Sequence, residues 1–264
     1  GGGPMGGGAA SPVCSVATEP PDVDPAHFER AYRARGSAVV IRNATRFSAL
    51  AQGFRNATSV EALRSAFGSV HVTVSSANAF SYGRKRMLLK DYLNSMSDID
   101  YNGESKDSSG SIYYWFGEHG EELAPLLKRY PLPKLAISSA EADLLAFTVD
   151  SAGGSFDRRS QPPALSFGAA GDGSGVPFHH HNDGFAEVLH GAKRWLFHYG
   201  EDPPPHFSPN KTSISWIQET LPKLHSWQVP LDCTIYPGDI IYFPRGVWHA
   251  TVNVGTTIFI STFL

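Results

Sequence analysis

The residues best equipped for chemistry sit late in this chain: His179-His180-His181, Asp183, Lys193 and His249. A neutral imidazole offers a free nitrogen at neutral pH, which makes histidine the commonest metal ligand. In an extended segment residues i and i+2 point to the same side. His179 and His181 can therefore share one face, with His180 on the other. A second register, His181-Asn182-Asp183, would pair an imidazole with a carboxylate. Lys193 follows in Gly191-Ala192-Lys193-Arg194-Trp195, and His249 in Tyr242-Phe243-Pro244-Arg245-Gly246-Val247-Trp248-His249. These residue types speak for a metal site with a cation beside it. No Ser-His-Asp order, Gly-rich phosphate loop or Cys-x-x-Cys pair competes.

Each of these residues also has a plainer reading. The histidine run can be a polar strand edge, Lys193 can reach solvent, and His249 can be a core imidazole bonded to backbone. Asp239 in Pro237-Gly238-Asp239 reads as a turn residue. His190 and His198 read as outward strand positions, Glu187 as a neighbour of the site, and Tyr113-Tyr114-Trp115 as core packing.

The elements that must hold these residues are short strands divided by Gly, Pro and Asn/Asp. They are expected at Leu165 to Ala170, Phe178 to His181, Phe185 to Leu189, Arg194 to Tyr199, Cys233 to Tyr236, Ile240 to Phe243, Trp248 to Val254 and Thr257 to Phe263. One helix, Ser213 to Thr220, interrupts them. Many short strands at close spacing predict a mainly β fold with flanking helices, closed as a double-sheet jelly-roll barrel. Upstream, Asp24-Pro25 reads as a helix N-cap followed by Pro at the first helical position. Thr58 with Glu61 reads as a capping box. Val70, Val72 and Val74 alternate as a strand, Met87 to Leu93 reads as a helix, Ile112 to Phe116 as a strand and Glu118 to Tyr130 as a helix. Residues 138–163 read as a loop insertion with a short apolar piece at Leu144 to Val149.

At 264 residues the chain can bury its core as one domain. A net charge of −3 gives no reason to expect a nucleic-acid partner. No apolar stretch is long enough to cross a bilayer. Residues 1–13 are Gly/Ala/Pro-rich and read as a flexible leader. The first residue is not Met, so a signal peptide is expected to have been cut or to lie outside this sequence. Three Asn-x-Thr sequons, at Asn43, Asn56 and Asn210, suit a glycosylating compartment. The two cysteines, Cys14 and Cys233, suit either one disulfide there or two unpaired core thiols in the cytosol.

From about Phe28 to Leu264 the chain resembles the jumonji-C (JmjC) branch of the cupin-like oxygenases, in particular its members in the endoplasmic reticulum lumen. The resemblance rests on Ser166-Phe167-Gly168, Gly173-Ser174-Gly175-Val176-Pro177-Phe178-His179, Gly191-Ala192-Lys193-Arg194-Trp195, Pro209-Asn210-Lys211-Thr212, Cys233-Thr234-Ile235, Tyr242-Phe243-Pro244, Trp248-His249-Ala250-Thr251 and Phe259-Ile260-Ser261-Thr262-Phe263-Leu264. It implies a double-stranded β-helix, Fe(II) and 2-oxoglutarate as cofactors, and a protein substrate or protein partner. His179 and His249 are implied as metal ligands, Lys193 as the partner of the remote 2-oxoglutarate carboxylate, and Thr262 as a further cosubstrate contact. It also implies a lumenal location and a Cys14–Cys233 pair. Such sites hold iron with two His and one carboxylate. Counting back from Gly191 places His181 in the carboxylate seat, and strand parity prefers this. The alternative ligand, Asp183, restores the carboxylate but needs a larger deletion before Phe185.

Overall fold

A computed structural model describes residues 14–76, 83–96, 113–117, 120–139 and 163–264. The expected leader and the Leu144 to Val149 piece lie outside these residues. The strands are β1 (Ala17–Glu19), β2 (Val39–Ile41), β3 (His71–Ser76), β4 (Arg84–Leu88), β5 (Tyr113–Phe116), β6 (Ala164–Ala170), β7 (Gly184–His198), β8 (Leu231–Ile235), β9 (Ile240–Phe243) and β10 (Trp248–Phe263). The helices are α1 (Pro25–Phe28), α2 (Ala49–Ala57), α3 (Val60–Phe67), α4 (Leu89–Ser95), α5 (Ala124–Leu127) and α6 (Ser213–Glu219).

The strand order is β1-β2-β9-β7-β10-β6-β5-β3-β4, with β8 added on β7. Two long strands organise it. The first half of β7 lies between β9 and the end of β10, and its second half lies between β8 and the start of β10. Each long strand thus serves both sheets, which makes the fold a double-stranded β-helix. The sequence reading divided β7 at Gly191 and β10 near Gly255. Both glycines have positive φ, 75° and 67°, and the β7–β10 register shifts just after Val254. The strands turn a corner there rather than ending. A Cβ on Gly191 would stand 2.3 Å from the Thr256 carbonyl oxygen, so that corner accepts only glycine.

The upstream helices differ from expectation in detail. Asp24 caps α1 by accepting from the His27 N–H at 2.8 Å. Ser59, not Thr58, caps α3 by accepting from the Ala62 N–H. The Thr58 hydroxyl instead donates to the Phe54 and Arg55 carbonyls at the end of α2. The expected Met87 to Leu93 helix is the end of β4 followed by α4, and the Glu118 to Tyr130 helix is a 3-10 turn running into α5. A large core lies between α2–α5 and the outer face of β6 and β10, with Phe54, Leu63, Leu93, Trp115, Phe167 and Ile260 buried. A second core fills the barrel with Val40, Val188, Trp195, Phe197, Ile235 and Phe243.

Cys14 and Cys233 are joined by a disulfide that fastens the start of the described chain to β8 across a sequence separation of 219. Closing so long a loop restricts the unfolded chain, which is worth about 5 kcal/mol at most in the chain-entropy account. Urea unfolding with and without reductant is expected to show a lower midpoint for the reduced protein. Equal midpoints would mean that the bond contributes nothing.

Candidate metal centre

The histidine run does not form the strand expected at Phe178 to His181. It runs antiparallel to the start of β10 through separate backbone bonds. Asn253 N–H donates to the Ser174 carbonyl at 2.7 Å, Thr251 N–H to Val176 at 3.0 Å, and His249 N–H to His179 at 2.8 Å. The stretch from Val176 to His179 spans one residue more than the facing stretch from Thr251 to His249. The extra residue is a bulge at Pro177-Phe178, where proline has no N–H to give a ladder. Gly175 permits the close approach, since a Cβ there would stand 1.8 Å from the Thr251 carbonyl oxygen. Despite the bulge, His179 and His181 turn to one side and His180 to the other. His180 packs edge-on against Trp248 at 4.7 Å.

His179, His181 and His249 each present a ring nitrogen within 4.8 Å of the other two. His249 is buried at 1 % exposure. Each Nδ1 lies against a backbone carbonyl: His179 on Pro177 at 2.8 Å, His181 on Asn182 at 2.6 Å, His249 on Val247 at 2.9 Å. A carbonyl only accepts, so each Nδ1 carries the proton and each Nε2 keeps its lone pair. The Nε2 atoms of His181 and His249 face each other at 3.2 Å. Two lone pairs at that distance repel unless a cation sits between them. Two nitrogens bound to one ion at about 2.0–2.1 Å stand roughly 3.0–3.4 Å apart. The donor set and its spacing therefore fit a divalent transition metal.

Electrostatics keeps the three rings neutral. Burial lowers the His179 pKa to about 4, with the nearby imidazoles and Lys193 acting in the same direction. Burial pushes His249 well below the usual range, and His179 and His181 add to it. Burial also lowers His181. Because the folded pKa values lie below the unfolded value of about 6.5, the unfolded chain binds more protons, and stability falls as pH drops. In the metal-free protein the stability that rests on these three neutral rings is expected to be complete above about pH 6.5 and to fall progressively towards pH 4. His179 alone accounts for on the order of 3 kcal/mol. Thermal melts across that range test this, and a flat profile contradicts it.

Lys193 opens into the same cavity, which has a volume of about 40 Å³. It is 4 % exposed, and its Nζ donates to Asn253 Oδ1 at 3.1 Å and lies 3.6 Å from the centre of the Phe259 ring. Among the described residues no carboxylate pairs with it. Burial lowers its pKa to about 7. Asn253 is in turn held by donating to the Ser174 carbonyl and hydroxyl.

Two expected participants lie elsewhere. Asp183 accepts from Arg33 Nε at 2.9 Å and from the Tyr242 hydroxyl at 3.1 Å, and it is not part of the histidine cluster. The carboxylate alternative is thereby replaced by an ion pair. Thr262 is also displaced, by strand parity. Phe259, Ser261 and Phe263 line the cavity, whereas Ile258 and Ile260 belong to the outer core. Thr262 shares the outer face and approaches Tyr130. Ser261 holds the cavity position instead. Asp239 is a turn residue, accepting from the Asn43 and Tyr236 N–H groups and from Arg42. Sequence reasoning missed Trp195, Thr251 and Asn253 as cavity residues. The signal was present, since Trp195 is two places from Lys193, and Thr251 and Asn253 are two and four places from His249.

Of the sequons, Asn56 and Asn210 are exposed and Asn43 is half-buried with φ of 56°.

The JmjC domain model matches residues 158–264. JmjC domain-containing protein 8 of Rattus norvegicus is 39 % identical over 80 % of this chain and 70 % of its own length. The Homo sapiens protein of the same name is 36 % identical over 80 % of this chain and 71 % of its own length. The lysine-specific demethylase JMJ21 of Arabidopsis thaliana is 25 % identical over 78 % of this chain and 21 % of its own length. With the double-stranded β-helix and the histidine cluster at its mouth, these likenesses place the chain in the JmjC domain family.

Proposed function

We propose that this protein is a JmjC barrel of the secretory lumen, descended from Fe(II)/2-oxoglutarate protein hydroxylases and carrying an altered, all-histidine metal triad. The convergence of His179, His181 and His249, each with Nδ1 tied to backbone and Nε2 free, carries the reading. Fe(II) with 2-oxoglutarate would supply oxidising power for hydroxylating a protein side chain. His179, His181 and His249 would hold the metal. Lys193 would take the remote carboxylate of 2-oxoglutarate, because a buried ammonium with no acidic partner gains most from an anion. Phe259 now covers that ammonium, so the acid must move the ring to reach it. Asp183, held by Arg33 and Tyr242, is not available to restore the usual carboxylate.

Lumenal residence is supported by the Cys14–Cys233 disulfide and by the exposure of Asn56 and Asn210. Expression in secreting cells followed by glycosidase treatment tests it. A mobility shift lost in Asn56→Gln/Asn210→Gln supports the assignment, and an unshifted protein opposes it.

A second reading has its own support: a non-catalytic interaction module. Three neutral ligands hold Fe(II) less firmly than a set with a carboxylate, and the Phe259 ring covers the Lys193 ammonium. Calorimetric titration of the metal-loaded protein with 2-oxoglutarate separates the two. Saturable binding lost in Lys193→Ala supports the first reading, and equal heats in both proteins support the second.

A further inference from the structure

Lys193 Nζ meets two groups at close range, Asn253 Oδ1 at 3.1 Å and the face of the Phe259 ring, whose centre lies 3.6 Å away. A cation over a ring centre is attracted by the negative face of the ring, most firmly where water is kept away. The same face repels a carboxylate. Lys193 and Phe259 both line the cavity that holds the three histidines. A carboxylate that pairs with Nζ must therefore compete with the ring for it.

The ring is held over Lys193 by the strands on both sides. The pairs of β10 with β7 pass from Ile258–His190 to Phe259–Val188, which leaves Leu189 as an extra residue on β7. Bulges of this kind re-aim a side chain. On its other side Phe259 pairs with Gly168 of β6. A Cβ at Gly168 would stand 2.9 Å from Phe259 Cζ and 3.0 Å from Phe116 Cδ2, so glycine makes room for both rings. The two rings pack at 5.4 Å, and Phe259 forms a buried cluster with Tyr114 and Ala170. Phe259 is 4 % exposed. Protein interiors are close-packed, so a ring seated this way moves only if its neighbours move with it.

We infer that Phe259 is a specificity-determining residue of this centre: its ring is a built-in competitor for the Lys193 ammonium and weakens the binding of 2-oxo diacids of the 2-oxoglutarate class. Short 2-oxo monoacids such as pyruvate have no second carboxylate to place on Lys193 and escape this competition. The inference rests on the metal-centre reading, since either acid would be held at its 2-oxo end by the metal.

The test is calorimetric titration of the Zn(II)-loaded full chain with 2-oxoglutarate and, separately, with pyruvate. Zn(II) content is measured on the same samples. Phe259→Ala is expected to tighten 2-oxoglutarate about tenfold or more, and tenfold is about 1.4 kcal/mol, within the strength of a desolvated cation–π contact. Where the parent takes up no 2-oxoglutarate, saturable binding by the variant is the same result. Pyruvate affinity is expected to stay unchanged, and the gain to vanish in Phe259→Ala/Lys193→Ala. If Phe259→Ala does not fold, Phe259→Leu keeps apolar bulk without the ring face and is expected to shift 2-oxoglutarate in the same direction by a smaller factor. The inference is overturned if the folded variant takes 2-oxoglutarate no more tightly than the parent, if pyruvate gains as much, or if the gain survives loss of Lys193. Zn(II) retained without the gain removes this inference alone. A parent that holds no Zn(II) removes the metal-centre reading, and this inference falls with it.

Discussion

Arg55→Ala is expected to destabilise the fold by about 3–5 kcal/mol, the cost of stripping a buried ion pair of one member. Arg55 and Glu187 are 6 % and 1 % exposed. Glu187 Oε1 accepts from the Thr45 hydroxyl at 2.5 Å and from Arg55 Nη1 at 3.3 Å, while Oε2 accepts from the Tyr130 hydroxyl at 2.8 Å. Burial raises the Glu187 pKa, and these donors oppose it. The Arg55 carbonyl also meets His190 Nε2 at 2.8 Å. The network thus pins α2, the Thr45 turn and Tyr130 to the outer face of β7, the strand whose inner face carries Lys193. Without Arg55 the carboxylate keeps its burial and loses its cation. Arg55→Met/Glu187→Leu is expected to recover much of the loss, because no charge then remains buried. Urea denaturation decides it. A loss under about 1 kcal/mol for Arg55→Ala would mean that the pair is screened or adaptable.

Lys193→Met is expected to act in opposite directions on stability and on ligand binding. The folded pKa of about 7 lies below the ordinary lysine value of 10.5. The unfolded chain therefore binds more protons between those values, and the burden of burying Lys193 is full below pH 7 and absent above about pH 10.5. Methionine has a similar length and no charge, so the variant is expected to gain up to about 4 kcal/mol at neutral pH. It should also lose affinity for acidic ligands. Acid binding by the parent at pH 8 is expected to draw a proton onto Lys193, visible as calorimetric heats that depend on the ionisation enthalpy of the buffer. A variant of unchanged stability, with buffer-dependent heats intact, would show that Lys193 is not the ammonium in question.

Much of this was legible in the chain. Gly, Pro and Asn/Asp punctuation marks the strands from β6 onward, and i, i+2 parity turns His179 and His181 to one side even across a bulge. What escaped has physical causes. Gly191 and Gly255 look like strand ends because positive φ marks turns and corners alike, and only the partner strand tells them apart. The α2 helix was missed because Gly53 and a run of small residues weaken its pattern, while Arg55 is helical in aid of a buried partner far away in sequence. Thr262 and Ser261 differ by one residue, and the face each takes depends on β10 register, which the Gly255 corner sets. Asp183 looks like a ligand until Arg33, 150 positions upstream, claims it.

The central claim, a divalent metal held by His179, His181 and His249, is tested most directly by metal content. Protein purified without chelator, reloaded with Fe(II) under anaerobic conditions or with Zn(II), and freed of excess metal should retain close to one ion per chain. His179→Ala/His249→Ala should retain none while keeping its circular dichroism spectrum. Parent protein that holds no metal, or a double variant that holds as much as the parent, would contradict the account.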